Sequence, residues 1–226
     1  MSYKEIIDGL KARSNAAAVK GMARFGINPA NTLGVSIPVL RKMAKEIGPD
    51  HWLAQRLWKS AIHEARILAT MVDEADKVTA TQMDRWAKDF DSWDVCDQCC
   101  SNLFEKTRFA HQKAIEWASK RGEYVKRAGF VLMAALAAHD MQANNTLFRS
   151  FLPIIKRQST DERNFVKKAV NWALRQIGKR NTALNRLAIR TATEIRNKNS
   201  KAARWIASDA IRELESKSVR KKLEIK

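Results

Sequence analysis

The chain has 226 residues, with 42 Lys and Arg against 24 Asp and Glu, and this net charge of +18 points to a polyanionic partner, most commonly nucleic acid. Four Pro and eight Gly are too few for a turn-rich β protein, and three Cys, two of them adjacent, do not form a disulfide framework. No stretch is apolar and long enough for a membrane span or a signal sequence, so we expect a cytoplasmic protein without membrane contact.

Helical periodicity runs through the whole chain. The first predicted helix covers residues 2–24 and ends near Gly26, where a loop bounded by two prolines begins. Ser36 is predicted to cap the next helix, which stops at Gly48. Further helices are predicted at 50–59, 62–72, 79–89, 92–106, 109–119, 122–138, 144–157, 162–178, 181–194 and 200–215. Residues 217–226 are predicted to form a frayed basic tail.

Several of these helices share a pattern of one or two bases followed by a run of Ala and large apolar residues. Val125-Lys-Arg-Ala and Val166-Lys-Lys-Ala match at an offset of 41 residues. A helix pair that recurs every ~40 residues is typical of HEAT repeats, whose stacked units share a continuous core. The sequence therefore predicts an all-α, curved α-solenoid of HEAT-like repeats, forming one domain over residues 1–226. Coincidental similarity among amphipathic helices is the alternative.

The predicted helix after Ser92 places Trp93 and Asp97 one turn apart, beside its apolar stripe. An indole and a carboxylate at this spacing can face a cleft together. The alternative is that Trp93 packs in the core and Asp97 is solvated, and this stretch alone favours the alternative. Asp94 falls on a third side and is predicted to face water. Asp91 or Ser92 is predicted to cap the helix.

A basic face with a tryptophan is predicted on the helix at 162–178. Lys168, Trp172, Arg175 and Lys179 recur there at steps of four, three and four, opposite the core stripe. An indole among cations suits a ligand with phosphates and planar bases, whereas packing of Trp172 under a neighbouring repeat is the alternative. A weaker copy of this pattern follows in the helix at 200–215, and it consists of Arg204, Trp205 and Arg212.

Two bases, Lys126 and Arg127, begin the otherwise apolar helix at 122–138. The helix dipole disfavours positive charge in a first turn, so each base requires a carboxylate, such as Asp97, or a phosphate. An ordinary surface ion pair is the alternative. Cys96 and Cys99 are interpreted as core residues rather than zinc ligands, because no second ligand pair is present in the sequence. We therefore expect neither a metal nor a cofactor.

Three segments, in this order and spacing, resemble the AlkD family of bacterial DNA alkylation repair glycosylases, which are built of HEAT-like repeats. They are Trp93-Asp-Val-Cys-Asp97, Tyr124-Val-Lys-Arg-Ala128 and the run from Asn164 to Lys179. The loop Leu33-Gly-Val-Ser-Ile-Pro38 is similar to a Leu-Gly motif of the same family. The resemblance spans most of residues 15–215.

The resemblance implies that Asp97 is the catalytic carboxylate, that Trp93 and Trp172 are cleft tryptophans and that Arg127 is a cleft arginine. At a DNA-contacting position where relatives often have Tyr, this chain has Phe25, so a contact through a phenol hydroxyl is lost. The implied activity is monofunctional excision of cationic N3- or N7-alkylated purines from duplex DNA, without a base-flipping pocket. A non-catalytic nucleic-acid-binding module is the alternative, and a protein-binding scaffold fits the charge less well. We expect a monomer.

Overall fold

The computed structural model describes residues 1–224, which form fourteen α-helices and one short 3-10 turn and include no β-strand. The prediction of an all-α protein is confirmed. None of the helices in residues 1–224 is long and apolar enough to cross a membrane. The chain divides into two compact units, unit 1 from Met1 to Phe109 and unit 2 from Ala110 onward. That they form one domain stays a prediction.

Unit 1 is built on a row of three helices, in which α5 packs between α3 and α7. Helix α4 packs on α5, and it contacts α6 through Trp58 and Trp86, whose rings stack with centroids 4.0 Å apart. The helices are α1 (Tyr3–Ala12), α2 (Ala16–Arg24), α3 (Ile37–Ile47), α4 (His51–Lys59), α5 (His63–Val72), α6 (Ala80–Lys88) and α7 (Trp93–Asn102), followed by the 3-10 turn Phe104–Lys106.

The prediction of a single helix over residues 2–24 is wrong, because the chain leaves helical geometry between α1 and α2. Asn15 has extended backbone angles, and its side-chain oxygen accepts a hydrogen bond from the Ala18 amide at 3.0 Å. Asn competes with the helical backbone in this way and is favoured as an N-cap. The polar run Arg13-Ser-Asn15 interrupts the apolar stripe after Leu10, and it was the available signal for this break.

Unit 2 has two layers. Helices α9, α11 and α13 pack in series and form the layer called here the front layer, while α8, α10 and α12 pack against them and form the back layer. Helix α9 is almost entirely buried from Ala128 to Ala137. The helices are α8 (Ala110–Trp117), α9 (Glu123–His139), α10 (Asn145–Gln158), α11 (Asn164–Gly178), α12 (Thr182–Arg196), α13 (Lys201–Leu214) and α14 (Lys217–Glu224).

The close approach of α8 and α9 depends on Gly129. A Cβ at this position would lie 2.4 Å from the Ala118 nitrogen and 2.9 Å from the Ala114 oxygen, both of them backbone atoms. The two helices therefore contact each other through their main chains.

The prediction of a frayed tail is wrong for residues 217–224, which form α14. Val219 is buried and anchors this helix, while Lys217, Arg220, Lys221 and Lys222 stay exposed. A helix this short is marginal in isolation, and tertiary packing of its apolar side chain stabilises it. The last two residues of the predicted tail, 225 and 226, lie outside the described residues.

Candidate nucleic-acid interface and catalytic residues

The first turn of α7 carries Trp93, and the next turn carries Asp97; both side chains are partly exposed. The Trp93 indole Nε1 donates a hydrogen bond to the carbonyl oxygen of Phe25 at 3.1 Å. This bond holds the indole in one orientation and connects α7 to the C-terminal end of α2. Unit 1 therefore brings together Trp93, Asp97 and the Phe25 backbone, while the Phe25 ring is 74% exposed.

The loop after Phe25 is held by a buried carboxylate. Glu64 is 1% exposed and accepts hydrogen bonds from three consecutive backbone amides, those of Leu33, Gly34 and Val35, at 2.9, 2.6 and 3.2 Å. Gly34 lies in the left-handed region, with φ of 79°, and a Cβ there would be 2.4 Å from the Asn15 oxygen. Glu64 therefore fixes the far end of the loop that follows Phe25, the residue whose carbonyl is the Trp93 acceptor.

Replacing Glu64 by Gln should destabilise unit 1 by about 1–3 kcal/mol, because the amide carries one acceptor oxygen instead of two and leaves backbone amides unpaired. The measurement is the shift in the midpoint of urea unfolding followed by circular dichroism. Glu46→Gln makes the same chemical change at an exposed site of α3 and should stay within about 0.5 kcal/mol of wild type. Equal stability of the two variants would contradict the role of Glu64.

Ser92 occupies the N-cap position of α7, but its side chain does not cap the helix. Its hydroxyl instead accepts a hydrogen bond from the Asn28 amide at 2.9 Å, and Asp91 accepts one from the Asn28 side chain at 3.0 Å. The prediction that Asp91 or Ser92 caps α7 is therefore wrong, because both side chains bind Asn28 instead. The start of α7 holds the same loop that Glu64 holds, which the sequence alone did not indicate because the contacts span about 60 residues of chain.

Asp94 does not face water as predicted. Its Oδ2 lies 2.9 Å from Nε2 of His63, and its side chain is only 15% exposed. Burial alone would lower the pKa of His63, but the hydrogen bond and charge of Asp94 raise it above its ordinary value. The pair joins the first turns of α5 and α7, so Asp94 has a structural role and cannot serve as a silent position on α7.

The three cysteines of α7 are fully buried and form no disulfide. Burial raises the pKa of the Cys99 thiol well above its ordinary value, so the group is protonated at neutral pH. Among residues 1–224, no group of three or more His, Cys, Asp or Glu side chains is arranged to hold a metal ion.

Both bases at the start of α9 have partners within unit 2. Arg127 is 6% exposed, and its Nη1 donates to the Phe165 carbonyl at 2.6 Å. Lys126 Nζ lies 3.1 Å from Asp161 Oδ2, which Arg163 also contacts at 2.6 Å. The hydrogen bonds from Arg163 and Lys126 lower the pKa of Asp161 from 3.8 to about 2. Their stabilising effect is therefore present above pH 4 and lost as the pH falls toward 2.

The predicted basic face of α11 is partly neutralised by α13. Lys168 is exposed and Trp172 is partly exposed, as expected for a surface stripe. Arg175 and Lys179, however, both bind the carboxylate of Glu213, the lysine at 2.7 Å. The structure places all four predicted side chains along one helix, and it leaves Lys168 as the exposed cation among them.

The Trp205 ring is 41% exposed, and the Nζ of Lys167 lies 5.3 Å from its centroid, within cation–π range. Arg204 beside it is exposed, while Arg212 forms an ion pair with Asp209. Lys167 was not among the predicted site residues, because the spacing of the α11 stripe selects Lys168. Arg163 was not predicted either. The run Asp161-Glu-Arg163 before α11 was the available signal, since two acids and a base precede a basic helix.

The charge is divided unequally between the units. Unit 1 has 16 Lys and Arg against 14 Asp and Glu, whereas the sequence from residue 110 onward has 26 against 10. The excess positive charge from which a polyanionic partner was predicted therefore lies in unit 2. A cavity of about 590 Å³ in unit 1 lies between α4 and α6, and neither Trp93 nor Asp97 lines it.

The fold is that of a HEAT-like repeat protein. A solved structure, described as a new family of proteins related to the HEAT-like repeat DNA glycosylases with affinity for branched DNA structures, matches 94% of this chain and 95% of its own, with 19% sequence identity and a TM-score of 0.79. Residues 6–214 match the family described as DNA alkylation repair enzyme, and the chain belongs to that family. The family resemblance seen in the three sequence segments is thereby confirmed. A search of curated proteins gave no match.

Proposed function

We propose that this protein is a monofunctional DNA glycosylase that excises cationic N3- and N7-alkylated purines from duplex DNA, with Asp97 as the catalytic carboxylate. The observation that carries the proposal is the pairing of Asp97 with Trp93, one turn apart on α7, in a chain that belongs to the DNA alkylation repair enzyme family. The indole is fixed by the Phe25 carbonyl and the loop behind it by Glu64, and a positioned aromatic face of this kind is suited to a reacting cation.

The chemistry required of the protein is modest. A purine alkylated at N3 or N7 already carries positive charge, and when the bond between C1′ and N9 breaks, its electron pair neutralises the departing base. Cationic character then develops on the sugar, as in glycoside hydrolysis. The Asp97 carboxylate stabilises that charge and orients the water that adds to C1′, and the Trp93 ring face adds a second stabilising contribution. No cofactor takes part.

The front layer of unit 2 is proposed to bind the sugar–phosphate backbone. Helix α11 begins without a side-chain N-cap bond, and it carries Lys167 and Lys168 in its first turns, where the helix dipole disfavours positive charge. A phosphate compensates such bases and accepts hydrogen bonds from the free amides of a helix start. Arg127, Lys126, Trp172, Lys168 and Trp205 are therefore proposed to contribute to DNA binding, together with Phe25, Arg175, Lys179, Arg204 and Arg212.

Replacing Lys168 by Ala should flatten the slope of log affinity against log salt concentration by about one unit, because one phosphate contact is lost. Arg175→Ala should flatten it less, since Glu213 already binds that guanidinium. Fluorescence anisotropy of a labelled duplex over a salt series measures both. Lys4→Ala, at an exposed site of α1, is the matched control and should not change the slope. Identical slopes for Lys168→Ala and Lys4→Ala would place the DNA elsewhere.

Release of 7-methylguanine from methylated duplex DNA tests the proposed activity directly, and chromatography of the released base measures it. We expect release that depends on enzyme concentration and leaves an uncleaved abasic strand, as a monofunctional enzyme requires. The second candidate function is a DNA-binding protein without glycosylase activity. It is favoured by the likeness to the structure described as having affinity for branched DNA, and absence of base release with intact DNA binding would establish it.

A further inference from the structure

The back layer of unit 2 carries an unexpectedly large excess of positive charge. Helices α10 and α12 together contain six bases and a single acid, Glu194. The bases are Arg149, Lys156, Arg157, Arg186, Arg190 and Arg196. None of these positions follows from the resemblance to DNA alkylation repair glycosylases, and none belongs to the interface proposed above.

Neutralisation of this charge is much weaker than on the front layer, where Arg175, Lys179 and Lys126 are all bound to carboxylates. Within the described residues, Arg149 and Arg186 are exposed and form no ion pair. Lys156 and Arg190 share Glu194, at 2.7 and 3.4 Å, and the Arg190 side chain remains 79% exposed. One carboxylate therefore serves two bases, and the surface keeps a net positive charge.

The bases also have a regular arrangement. Arg186 and Arg190 are one turn apart on α12, a spacing at which like charges repel each other. Arg149 and Lys156, two turns apart on α10, lie on one side of that helix. Between the two helices is a shallow groove of about 260 Å³, which has an apolar floor of Leu152, Pro153 and Leu187. Arg149 and Lys156 line this groove from α10, and Thr191 and Glu194 line it from α12. A cationic row beside an apolar floor matches the charged and apolar parts of a sugar–phosphate strand.

We propose that the α10–α12 surface binds the phosphate backbone of a second DNA segment, while the front layer binds the first. The inference rests on the proposed function in one respect, namely that the front layer is the primary DNA surface. Guanidinium groups favour phosphates over other anions because their paired N–H donors match two phosphate oxygens. The protein would then join two duplex segments without requiring a dimer.

A bridging assay tests this proposal. One duplex is fixed to beads, a second carries a fluorophore, and the protein is added over a salt series. The wild type should retain the labelled duplex on the beads. The triple variant Arg149→Glu, Arg186→Glu, Arg190→Glu should reduce this retention by about tenfold or more, and should flatten its salt dependence by about three units.

The matched control is Lys4→Glu, Lys20→Glu, Lys45→Glu, which changes the net charge equally at exposed sites of unit 1. It should bridge like wild type, and both triple variants should excise 7-methylguanine from a single duplex at the same rate. Loss of bridging in the Arg149→Glu, Arg186→Glu, Arg190→Glu variant but not in the control variant supports the proposal. This holds even if neither the wild type nor any variant excises a base.

Three outcomes would overturn the proposal. The first is a wild type that does not bridge duplexes, and the second is equal bridging by the two triple variants. The third is loss of all single-duplex binding in the back-layer variant, which would make α10 and α12 the only DNA surface. Binding to anionic vesicles is measured in a separate experiment. If vesicle binding depends on Arg149, Arg186 and Arg190 and bridging does not, the surface binds membranes instead of DNA.

Discussion

Asp97→Asn is expected to slow the excision of 7-methylguanine by about two to three orders of magnitude, the usual loss for one pre-organised electrostatic group. The substitution keeps the size of the side chain and much of its hydrogen bonding but removes the negative charge that stabilises the sugar cation. Affinity for DNA should hold or rise slightly, because a carboxylate near phosphates repels them. Single-turnover release of the base, measured beside anisotropy of an unmodified duplex, separates the two effects.

The structure makes Asp8, and not Asp94, the suitable control position for this experiment. Asp94, on the same helix, binds His63, so Asp94→Asn weakens the contact between α5 and α7 and is not silent. Asp8→Asn, at an exposed site of α1, makes the same chemical change and should leave excision unchanged. Trp93→Ala should slow excision by less than Asp97→Asn, through loss of the aromatic face. If Asp97→Asn and wild type release base at one rate, the catalytic assignment is wrong.

Gly129→Ala is expected to destabilise unit 2 by about 3 kcal/mol or more. The added methyl group would meet the Ala118 nitrogen at 2.4 Å, and backbone atoms of a packed helix cannot move aside as a flexible side chain can. Helices α8 and α9 would have to separate, and the cost exceeds the gain in helix propensity of about 1 kcal/mol. The shift in the urea midpoint, followed by circular dichroism, measures the loss.

Gly21→Ala is expected to raise stability in the same experiment, whereas Gly129→Ala lowers it. Gly21 lies within α2, and a Cβ there would meet nothing within 4 Å, so only helix propensity acts. This variant should be more stable than wild type by about 0.5–1 kcal/mol. A Gly129→Ala protein as stable as Gly21→Ala would show that α8 and α9 do not contact each other through their backbones.

The helices and their buried faces could be predicted because amphipathic period is a local property of the sequence. The α11 stripe illustrates this: Val166, Ala169, Val170 and Ala173 are all fully buried, as the pattern indicated. The break at Asn15 was missed, since a cap requires only one residue to leave helical geometry.

The candidate site could be predicted only in part from the sequence. Trp93 and Asp97 were found because they are neighbours on one helix, and Phe25 because the family resemblance singled out its position. The partners of these residues come from distant parts of the chain: Glu64 reaches a loop 30 residues away, and Glu213 binds Arg175 across 38 residues. Spacing within a helix contains no information on such contacts, so Asp94 was predicted to face solvent and Arg175 to bind the ligand.

The stacked indoles of Trp58 and Trp86 have a consequence for spectroscopy. Two rings with centroids 4.0 Å apart and planes 3° from parallel absorb as a coupled pair rather than as separate chromophores. The part of their circular dichroism that arises from this coupling is therefore lost when α4 and α6 separate. Both helices belong to unit 1, so the coupled signal reports the integrity of the unit that contains Asp97.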